Sequence, residues 1–342
     1  MAQPVIEKLQ PSAGIEGGEV VITCKDLTFG AHDQFRVTFG GVASRPISAS
    51  PTKIIVPVPS FSFLTGAVPV SIDANGHPSE GAQFTIGQKL AENLHPVANP
   101  AYDRDTGAIY TTLSGTRGQK IPVSVYKITS EGESEPFISD LVNPTSIAFS
   151  PEGEMFITSR YDGSVYRVTP FKDAEVFARN LGVATGITFD AEGKMFVGDR
   201  NGTVYIVNDI GEATTFATLE PSISAFHLGF GPDGYLYATG PAMSSFDSVM
   251  RIDREGEVTK FYTGLGRPQG FAFDKGGNMY VAASYHGHRG IVRITPDGTD
   301  AEVVVAGSSL VGLCFDDHGN MIIASGREIF RIPFDVEGYW PF

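Results

Sequence analysis

With 342 residues and a net charge of −14, the chain is long enough for two domains, but it lacks the clustered Lys and Arg that nucleic acid or an anionic membrane requires. Its 40 glycines and 22 prolines recur at turn positions, which indicates many short strands. No apolar run is long enough to span a membrane, and the start MAQPVIEKLQ does not have the pattern of a signal peptide. We expect no nucleic-acid or membrane partner. The protein is expected to be cytoplasmic if the chain is complete, or secreted or periplasmic if a leader was removed.

Residues 1–87 contain apolar residues in alternation, in the runs VVITC, FRVTFGG, KIIVPVP, VPVSID and AQFTIG. Short alternating runs separated by Gly, Pro, Asn and Ser predict a small β-sandwich. The segment resembles the IPT/TIG family of immunoglobulin-like domains. The resemblance rests on Pro4-Val5-Ile6, Pro11-Ser12-Ala13-Gly14, Gly17-Gly18, Phe39-Gly40-Gly41, Ile54-Ile55-Val56-Pro57 and Phe84-Thr85-Ile86. It implies a spacer or docking module.

Two cysteines, Cys24 and Cys314, lie on strand-like segments in different parts of the chain. We interpret both as reduced, buried, small apolar residues rather than as a disulfide. Cys24 also departs from the IPT/TIG pattern, which usually has a glycine after this strand. Reduced cysteines favour a reducing compartment.

From residue 88 onwards one unit repeats, and its clearest copy is GLGRPQGFAFDKGGNMYVAASYHGHRGIVRI at 264–294. A turn glycine marks six copies spaced 40 to 46 residues apart, at Gly107, Gly153, Gly193, Gly234, Gly277 and Gly319. A period near 40 with about four short strands per copy is typical of a β-propeller blade. We predict an all-β protein in which a small sandwich is followed by a six-bladed propeller at 88–342.

The ends of the repeat region supply the closing blade and a tail. The last copy stops after EIFRIPF and so lacks a fourth strand. Leu90 and Leu94, which precede the first copy, have the four-residue spacing of the apolar residues that end the fourth strands of other copies. We expect residues 88–94 to add the outer strand of the sixth blade and so to remove free sheet edges. Trp340, in the tail DVEGYWPF, is expected at the domain junction or on the underside of the ring.

The repeats resemble NHL repeats and the gluconolactonase and senescence-marker family of six-bladed propellers, in residues Pro268–Asp274, Gly277–Ala282 and Val292–Ile294. That family implies a divalent cation held by side chains just before the first-strand glycine. The corresponding positions are Ala98, Thr145, Thr185, Phe226, Gln269 and Val311. Only Gln269 is a plausible ligand. We therefore expect no metal, no cofactor and no metal-dependent lactonase activity.

In such a blade, the loop between strands 2 and 3 shares one face with the loop that leads to the next blade. On this loop-rich face and at the channel mouth we expect the ligand-contacting residues, namely Thr145, Arg160, Tyr161, Thr185, Asp199, Phe226, Gln269, Tyr285, His288 and Arg289. The opposite face carries the turns SPEG, DAEG, GPDG, DKGG and DDHG, whose residues turn geometry alone explains.

His227 occupies the glycine position of the fourth copy. It is either a buried histidine bonded to backbone or a base in the channel. With Asp247 and the serines Ser244 and Ser245 it would supply imidazole, carboxylate and hydroxyl for a hydrolytic triad.

Two features of the loops are open to two interpretations each. His286 and His288 bind a metal or an anion if their loop is extended, and otherwise belong to a solvated loop. Arginines recur in the loops of four copies, at Arg160, Arg200, Arg289 and Arg327. They form a positive rim for a carboxylate or phosphate, or they pair with neighbours such as Asp162 and Asp199.

Three functions remain open. The first is a binding protein whose loop-rich face and channel hold a small polar or anionic molecule or a peptide segment. The second is a hydrolase or lyase acting on a lactone, ester or sugar acid, with His227 as base and Arg289 or Gln269 orienting the substrate. The third is an interaction hub that uses the outer blade edges.

Overall fold

The computed structural model describes residues 3–28, 35–61, 65–242 and 247–342, and its regular elements are β-strands. Within these residues no helix has the length and apolar character needed to cross a membrane. The predicted all-β fold class is confirmed.

Ten strands lie before residue 88 in two sheets. They are β1 (Val5–Gln10), β2 (Ala13–Gly14), β3 (Glu19–Lys25), β4 (Phe35–Phe39), β5 (Val42–Ser44), β6 (Ser48–Ala49), β7 (Lys53–Pro57), β8 (Gly66–Ala74), β9 (His77–Pro78) and β10 (Ala82–Ile86). One sheet has the order β1-β3-β7-β6 and the other β2-β10-β8-β4-β5, with β9 paired to β8.

One core lies between the two N-terminal sheets, because alternate residues of their strands point inwards. On β8 the inward residues Val68, Val70 and Ile72 are buried, and the residues between them are more exposed. The rings of Phe39 and Phe84 meet edge to face in this core, with centroids 5.2 Å apart. The alternation read from the sequence is thus the physical basis of the sandwich.

Residues 88–342 form six four-stranded antiparallel sheets, named sheet 1 to sheet 6 by the order of their first strands. Sheet 1 contains β12 (Ala101–Asp103), β13 (Ala108–Thr112), β14 (Val125–Ile128) and β15 (Ser134–Ile138). Sheet 2 contains β16 (Pro144–Phe149), β17 (Met155–Ser159), β18 (Ser164–Val168) and β19 (Ala174–Ala178). Sheet 3 contains β20 (Ala184–Phe189), β21 (Met195–Asp199), β22 (Thr203–Val207) and β23 (Ala213–Thr218).

Sheets 4 to 6 follow the same plan, except that sheet 6 takes its outer strand from the start of the region. Sheet 4 contains β24 (His227–Phe230), β25 (Leu236–Thr239), β26 (Asp247–Ile252) and β27 (Val258–Leu265). Sheet 5 contains β28 (Phe271–Phe273), β29 (Met279–Tyr285), β30 (His288–Ile294) and β31 (Ala301–Ala306). Sheet 6 contains β32 (Leu310–Phe315), β33 (Asn320–Ser325), β34 (Ile329–Pro333) and β11 (Gln88–Ala91). β11 pairs antiparallel with β34.

Each sheet turns from its first to its second strand through the recurring glycine. These six glycines have φ between 70° and 86°, which an L side chain rarely adopts. In sheet 5 the Asp274 carboxylate accepts hydrogen bonds from the backbone N–H and the side-chain amide of Asn278. Such hydrogen bonds, together with the positive φ of the glycines, explain why Asp and Gly recur at the turns of the repeat.

Neighbouring sheets pack through aromatic rings that occupy equivalent positions. Phe156 of sheet 2 contacts Phe177 of its own sheet and Phe189 of sheet 3, with centroids 5.2 and 5.5 Å away. The same arrangement recurs one sheet further on around Phe196 and again around Tyr237. Along the chain each first strand contacts the next first strand, and β12 also contacts β32.

The two parts of the chain are joined by strand pairing. β2 lies between β10 and the outer strand β31, so sheet 5 continues into the N-terminal domain. The backbone N–H of Ile15 donates to the Ala306 carbonyl at 2.9 Å. A Cβ atom on Gly18 would lie 2.5 Å from that same carbonyl, so the contact requires glycine. The sequence did not predict this junction.

Candidate functional site

The six sheets present two kinds of connection. We call the end with the first-to-second-strand turns the turn end. The loop end is the other one, which carries the second-to-third-strand connections and the links between sheets. All of the site residues predicted from the sequence belong to the loop end or to the start of a first strand.

Arginines concentrate at the loop end. Arg160 and Arg200 directly follow second strands, and their backbone N–H groups donate to the equivalent carbonyls of Asn143 and Val183. The Arg160 guanidinium is half-buried and donates to the Ser114 hydroxyl at 3.1 Å and to the Gly115 carbonyl at 3.2 Å. Burial lowers its pKa, and the nearby positive charge of Arg200 lowers it further.

These arginines form no ion pair with the carboxylates that the structure describes. Among the described residues, no ion pair involves Arg117, Arg160, Arg200, Arg289 or Arg327. Of the two carboxylates expected to pair with them, Asp162 accepts from the Tyr166 hydroxyl and from the Ser164 N–H. Asp199 accepts from the N–H groups of Val183 and Asn201.

His227 lies at the start of β24 and is 2% exposed. Burial lowers its pKa to about 4, which a hydrogen bond to Gln269 partly opposes. Its Nε2 atom has no hydrogen-bond partner within the described part of the chain. The imidazole is therefore neutral near pH 7 and keeps an unused polar atom in a buried position.

The other predicted residues at the start of the first strands are also buried. Thr185 donates to the Gly198 carbonyl at 3.1 Å and accepts from the Phe226 N–H at 3.1 Å. Thr145 is 2% exposed, and no hydrogen-bond partner for its hydroxyl oxygen occurs in the described ranges. Buried unpaired polar atoms are uncommon, and Thr145 and His227 supply one each.

Asp247 serves the backbone rather than His227. Its two carboxylate oxygens accept from the Ala242 N–H at 2.8 Å and from the Arg267 N–H at 3.1 Å. Ser244 and Ser245, the proposed hydroxyl donors of a triad, lie outside the described residues, as does Phe246. The described contacts therefore do not assemble a His–Asp dyad.

The loop YHGHRG forms a tight hairpin turn. Tyr285 pairs with His288 across β29 and β30, while His286 and Gly287 have φ of 47° and 83°. Positive φ at both central residues gives the turn geometry typical of two-residue hairpins, so the loop is not extended and the condition for a shared histidine site is not met. The Arg289 side chain is exposed next to this turn, and Tyr161 is 52% exposed in sheet 2.

The positions that would hold an axial cation do not suit one. Only Gln269 among them has a side-chain amide, and Thr145 and Thr185 contribute hydroxyls, whereas a hard cation prefers several carboxylate or carbonyl oxygens. In the described ranges no group of three His, Cys, Asp or Glu residues is arranged to bind a metal. The described residues therefore give no basis for a metal-dependent mechanism.

Asn99 makes contacts at the starts of the first strands that the sequence did not predict. Its side-chain amide donates to the Phe271 carbonyl at 2.9 Å, and its oxygen accepts from the Leu313 N–H at 3.1 Å. A Cβ atom on Gly270 would lie 1.8 Å from this oxygen. Asn99 therefore ties the start of sheet 1 to sheets 5 and 6. The signal in the sequence was an asparagine at a position where three other copies have glycine.

A cavity of about 620 Å³ opens at the turn end, where only structural turns were expected. It touches the first strands of all six sheets and part of the tail, including Trp340. Trp340 packs near Tyr102, with ring centroids 6.1 Å apart, and therefore lies on the underside of the sheets rather than at the domain junction. Both cysteines are free and buried.

Comparison with known proteins identifies the N-terminal domain and relates the rest by fold. The IPT/TIG domain family matches residues 4–86, and the WD domain, G-beta repeat family matches the short stretch 139–166. No curated protein matches the chain significantly.

Several solved structures are similar. A structural-genomics protein described as a gluconolactonase has a TM-score of 0.61 at 17% identity, covering 74% of this chain and 93% of its own. A gluconolactonase from Xanthomonas campestris has a TM-score of 0.59 at 15% identity, covering 72% and 88%. An auxiliary nutrient binding protein from Bacteroides thetaiotaomicron has a TM-score of 0.56 at 16% identity, covering 97% of both chains. The chain therefore carries an IPT/TIG domain at its N-terminus and shares its fold with gluconolactonases and with a nutrient-binding protein.

Proposed function

We propose that this chain is a ligand-binding protein in which a six-bladed propeller at 88–342 binds a small anionic molecule at its loop end. The IPT/TIG domain at 1–87 acts as a spacer or docking module. The observation that carries the proposal is the group of loop-end arginines that have no carboxylate partner among the described residues, in a chain of net charge −14. The ligand class is a carboxylate or phosphate, presented by a small molecule or by an acidic peptide segment.

The propeller is supported by three observations. Six four-stranded sheets follow one another, their first strands contact in order, and β12 contacts β32. One cavity touches all six first strands. β11 supplies the outer strand of sheet 6, which joins the start of the region to its end. Propellers commonly bind ligands near their axis, although the fold alone does not specify which.

The anion is supported by the chemistry of the loop end. Guanidinium groups present a planar fork that matches carboxylate and phosphate oxygens, and partial burial reduces solvent screening of their charge. Arg160 is held in place by Ser114 and Gly115, so little conformational entropy remains to be lost on binding. The unpaired His227 Nε2 and Thr145 hydroxyl add buried polar atoms at the starts of β24 and β16.

We expect citrate, gluconate or inorganic phosphate to raise the unfolding temperature of the wild-type chain. At a concentration about 100 times Kd the increase should be roughly 5–10 °C. Differential scanning fluorimetry at constant ionic strength, with sodium chloride as the balancing salt, measures it. Arg200→Ala should remove most of the increase.

Arg254→Ala is the matched control, because Arg254 is an exposed arginine near the turn end. It should leave the increase unchanged. The proposal is wrong if none of the three anions stabilises the wild-type chain, or if the two arginine variants lose the response equally.

A second candidate function is that of a hydrolase or lyase acting on a lactone, ester or sugar-acid substrate. It is favoured by the neutral imidazole of His227 with its unpaired Nε2, and by the fold shared with gluconolactonases. If it holds, the wild-type chain opens glucono-δ-lactone above the spontaneous rate in a pH-indicator assay, and His227→Gln abolishes the excess. Asp247→Asn serves as the comparison. A wild-type rate equal to the spontaneous rate excludes lactonase activity on this substrate.

A further inference from the structure

The turn-end cavity owes its space to small side chains. Where the first strands line it, each of the six sheets contributes one small residue, two positions after its first-strand glycine position. These residues are Ala101, Ala148, Thr188, Gly229, Ala272 and Cys314. The volume of about 620 Å³ falls within the range of small-molecule sites.

Aromatic rings form much of the remaining wall. Phe149 and Phe230 line the cavity and are only half-buried, so their rings retain accessible surface. Tyr102 and Trp340 lie next to each other at the side formed by the tail. The tail itself is fixed, because the Tyr339 N–H donates to the Phe273 carbonyl at 2.8 Å. Aromatic rings therefore form much of the apolar part of a lining that also contains polar groups.

Carboxylates dominate the charge around this cavity. Four acidic residues line it, at Asp103, Asp105, Glu152 and Asp317. Asp103 accepts bonds from its own turn, but Asp105 and Glu152 are exposed and form no ion pair within the described residues. Because both charges lie at the cavity rim, they attract a cation and repel an anion.

Arg104, the one basic residue in the cavity lining, shows that a cation fits beside these rings. Its guanidinium lies over the Trp340 ring, 5.6 Å from the centroid, and contacts Asp317 at 3.4 Å. A cation over an aromatic face is attracted by the ring quadrupole. Arg104 pairs with Asp317 and leaves the carboxylates of Asp105 and Glu152 without an ion pair among the described residues. These two carboxylates lie towards sheet 2, since a Cβ atom added to Gly153 would be 3.3 Å from the Asp105 carboxylate.

We infer that this cavity is a second binding site, for a small organic cation with an apolar body. The apolar part enters among the small residues and the phenylalanine rings. The positive group stays at the rim near Asp105 and Glu152. This site is at the opposite end of the sheets from the proposed anion site and does not depend on it.

The experiment uses Trp340, because it is the only tryptophan of the chain and it lines the cavity. The full chain is titrated with benzyltrimethylammonium while tryptophan emission is recorded. Benzyl alcohol and benzoate, which share the ring but are neutral and anionic, are titrated in parallel at constant ionic strength. We expect a saturable change in emission with the cation, a weaker one with the alcohol and none with benzoate.

Two sets of variants test where the cation binds. The double variant Asp105→Asn and Glu152→Gln should lower the affinity for the cation about threefold or more and leave the affinity for benzyl alcohol unchanged, because it removes only exposed charge. Ala148→Leu should lower the affinity for both ligands by roughly tenfold, because the larger side chain fills the cavity. Ala43→Leu makes the same change on an exposed strand of the N-terminal domain and should have no effect.

Arg200→Ala, which tests the anion site, should leave this titration unchanged. The inference is overturned if the three aromatic ligands give equal responses, if benzoate binds most tightly, or if the neutral double variant binds the cation as the wild type does. Because the charge variants alter only exposed side chains, a negative result from them cannot be attributed to misfolding.

Discussion

Replacing Asn99 by alanine should lower the midpoint of thermal unfolding by roughly 5–15 °C, on the basis of about 2–4 kcal/mol at 2–4 °C per kcal/mol. The physical reason is that one side chain bonds two other sheets. The amide donates to the Phe271 carbonyl of sheet 5, and the oxygen accepts from the Leu313 N–H of sheet 6. Alanine leaves both backbone groups without their partner in a half-buried position at the cavity lining, where an unsatisfied group costs more than a bond contributes.

The matched control is Asn208→Ala. Asn208 likewise makes two hydrogen bonds to backbone groups, accepting from the N–H groups of Ile210 and Glu212, but it lies in an exposed turn of sheet 3 where water can replace the side chain. Its effect should be a small fraction of that of Asn99→Ala, as measured by calorimetry or by fluorescence-monitored unfolding. Equal losses in the two variants would show that Asn99 does not hold the first and last sheets together.

The position of Asn99 also bears on the two candidate sites. Its side chain fills the space beside Gly270 and Gly312 and forms part of the turn-end cavity lining. It occupies the position in its copy of the repeat that His227 occupies in the fourth copy. Asn99→Ala removes a side chain from the cavity lining, so it should change the cation site as well as the stability of the sheets.

Local patterns made the strands predictable from the sequence. Alternating apolar residues follow from the two-residue period of a strand, and the recurring glycines follow from turns that require positive φ. The IPT/TIG resemblance rested on motifs that span the domain, and residues 4–86 match that family. The all-β class and the N-terminal domain were therefore accessible without coordinates.

Long-range contacts were not accessible in the same way. The pairing of β2 with β31 depends on a two-residue strand and on Gly18 approaching the Ala306 carbonyl, and neither has a periodic signal. The Asn99 bonds join residues that lie more than 170 positions apart in sequence. The turn-end cavity arises from six small residues that are each unremarkable in their own strand and meet only in three dimensions.

Charge pairing at the loop end also required the structure. The sequence placed Asp162 and Asp199 near Arg160 and Arg200, and either ion pairs or a positive rim fitted that spacing. In the structure the carboxylates accept hydrogen bonds from the Tyr166 hydroxyl and from nearby backbone N–H groups. Sequence distance alone does not distinguish a carboxylate that caps a turn from one that neutralises an arginine.

His227 should make the stability of the chain depend on pH between about 6.5 and 4. Burial lowers its folded-state pKa to about 4, and its ordinary value is 6.5. Below pH 6.5 the unfolded chain takes up a proton at this residue while the folded chain does not, so protonation favours unfolding. The stabilisation is fully present above pH 6.5 and is lost progressively as the pH falls to 4, by an amount on the order of 3 kcal/mol.

Urea unfolding at pH 7.5, 5.5 and 4.5 measures this loss when wild type is compared with His227→Gln. The variant cannot be protonated at this position, so the difference between its profile and that of the wild type isolates His227 from every other titrating group. His318→Gln, at an exposed turn residue, is the control and should follow the wild type. Parallel profiles for wild type and His227→Gln would mean that His227 is not buried in the neutral form. In that case both its role as a neutral hydrogen-bonding group at the loop end and the base required for lactone hydrolysis would fail together.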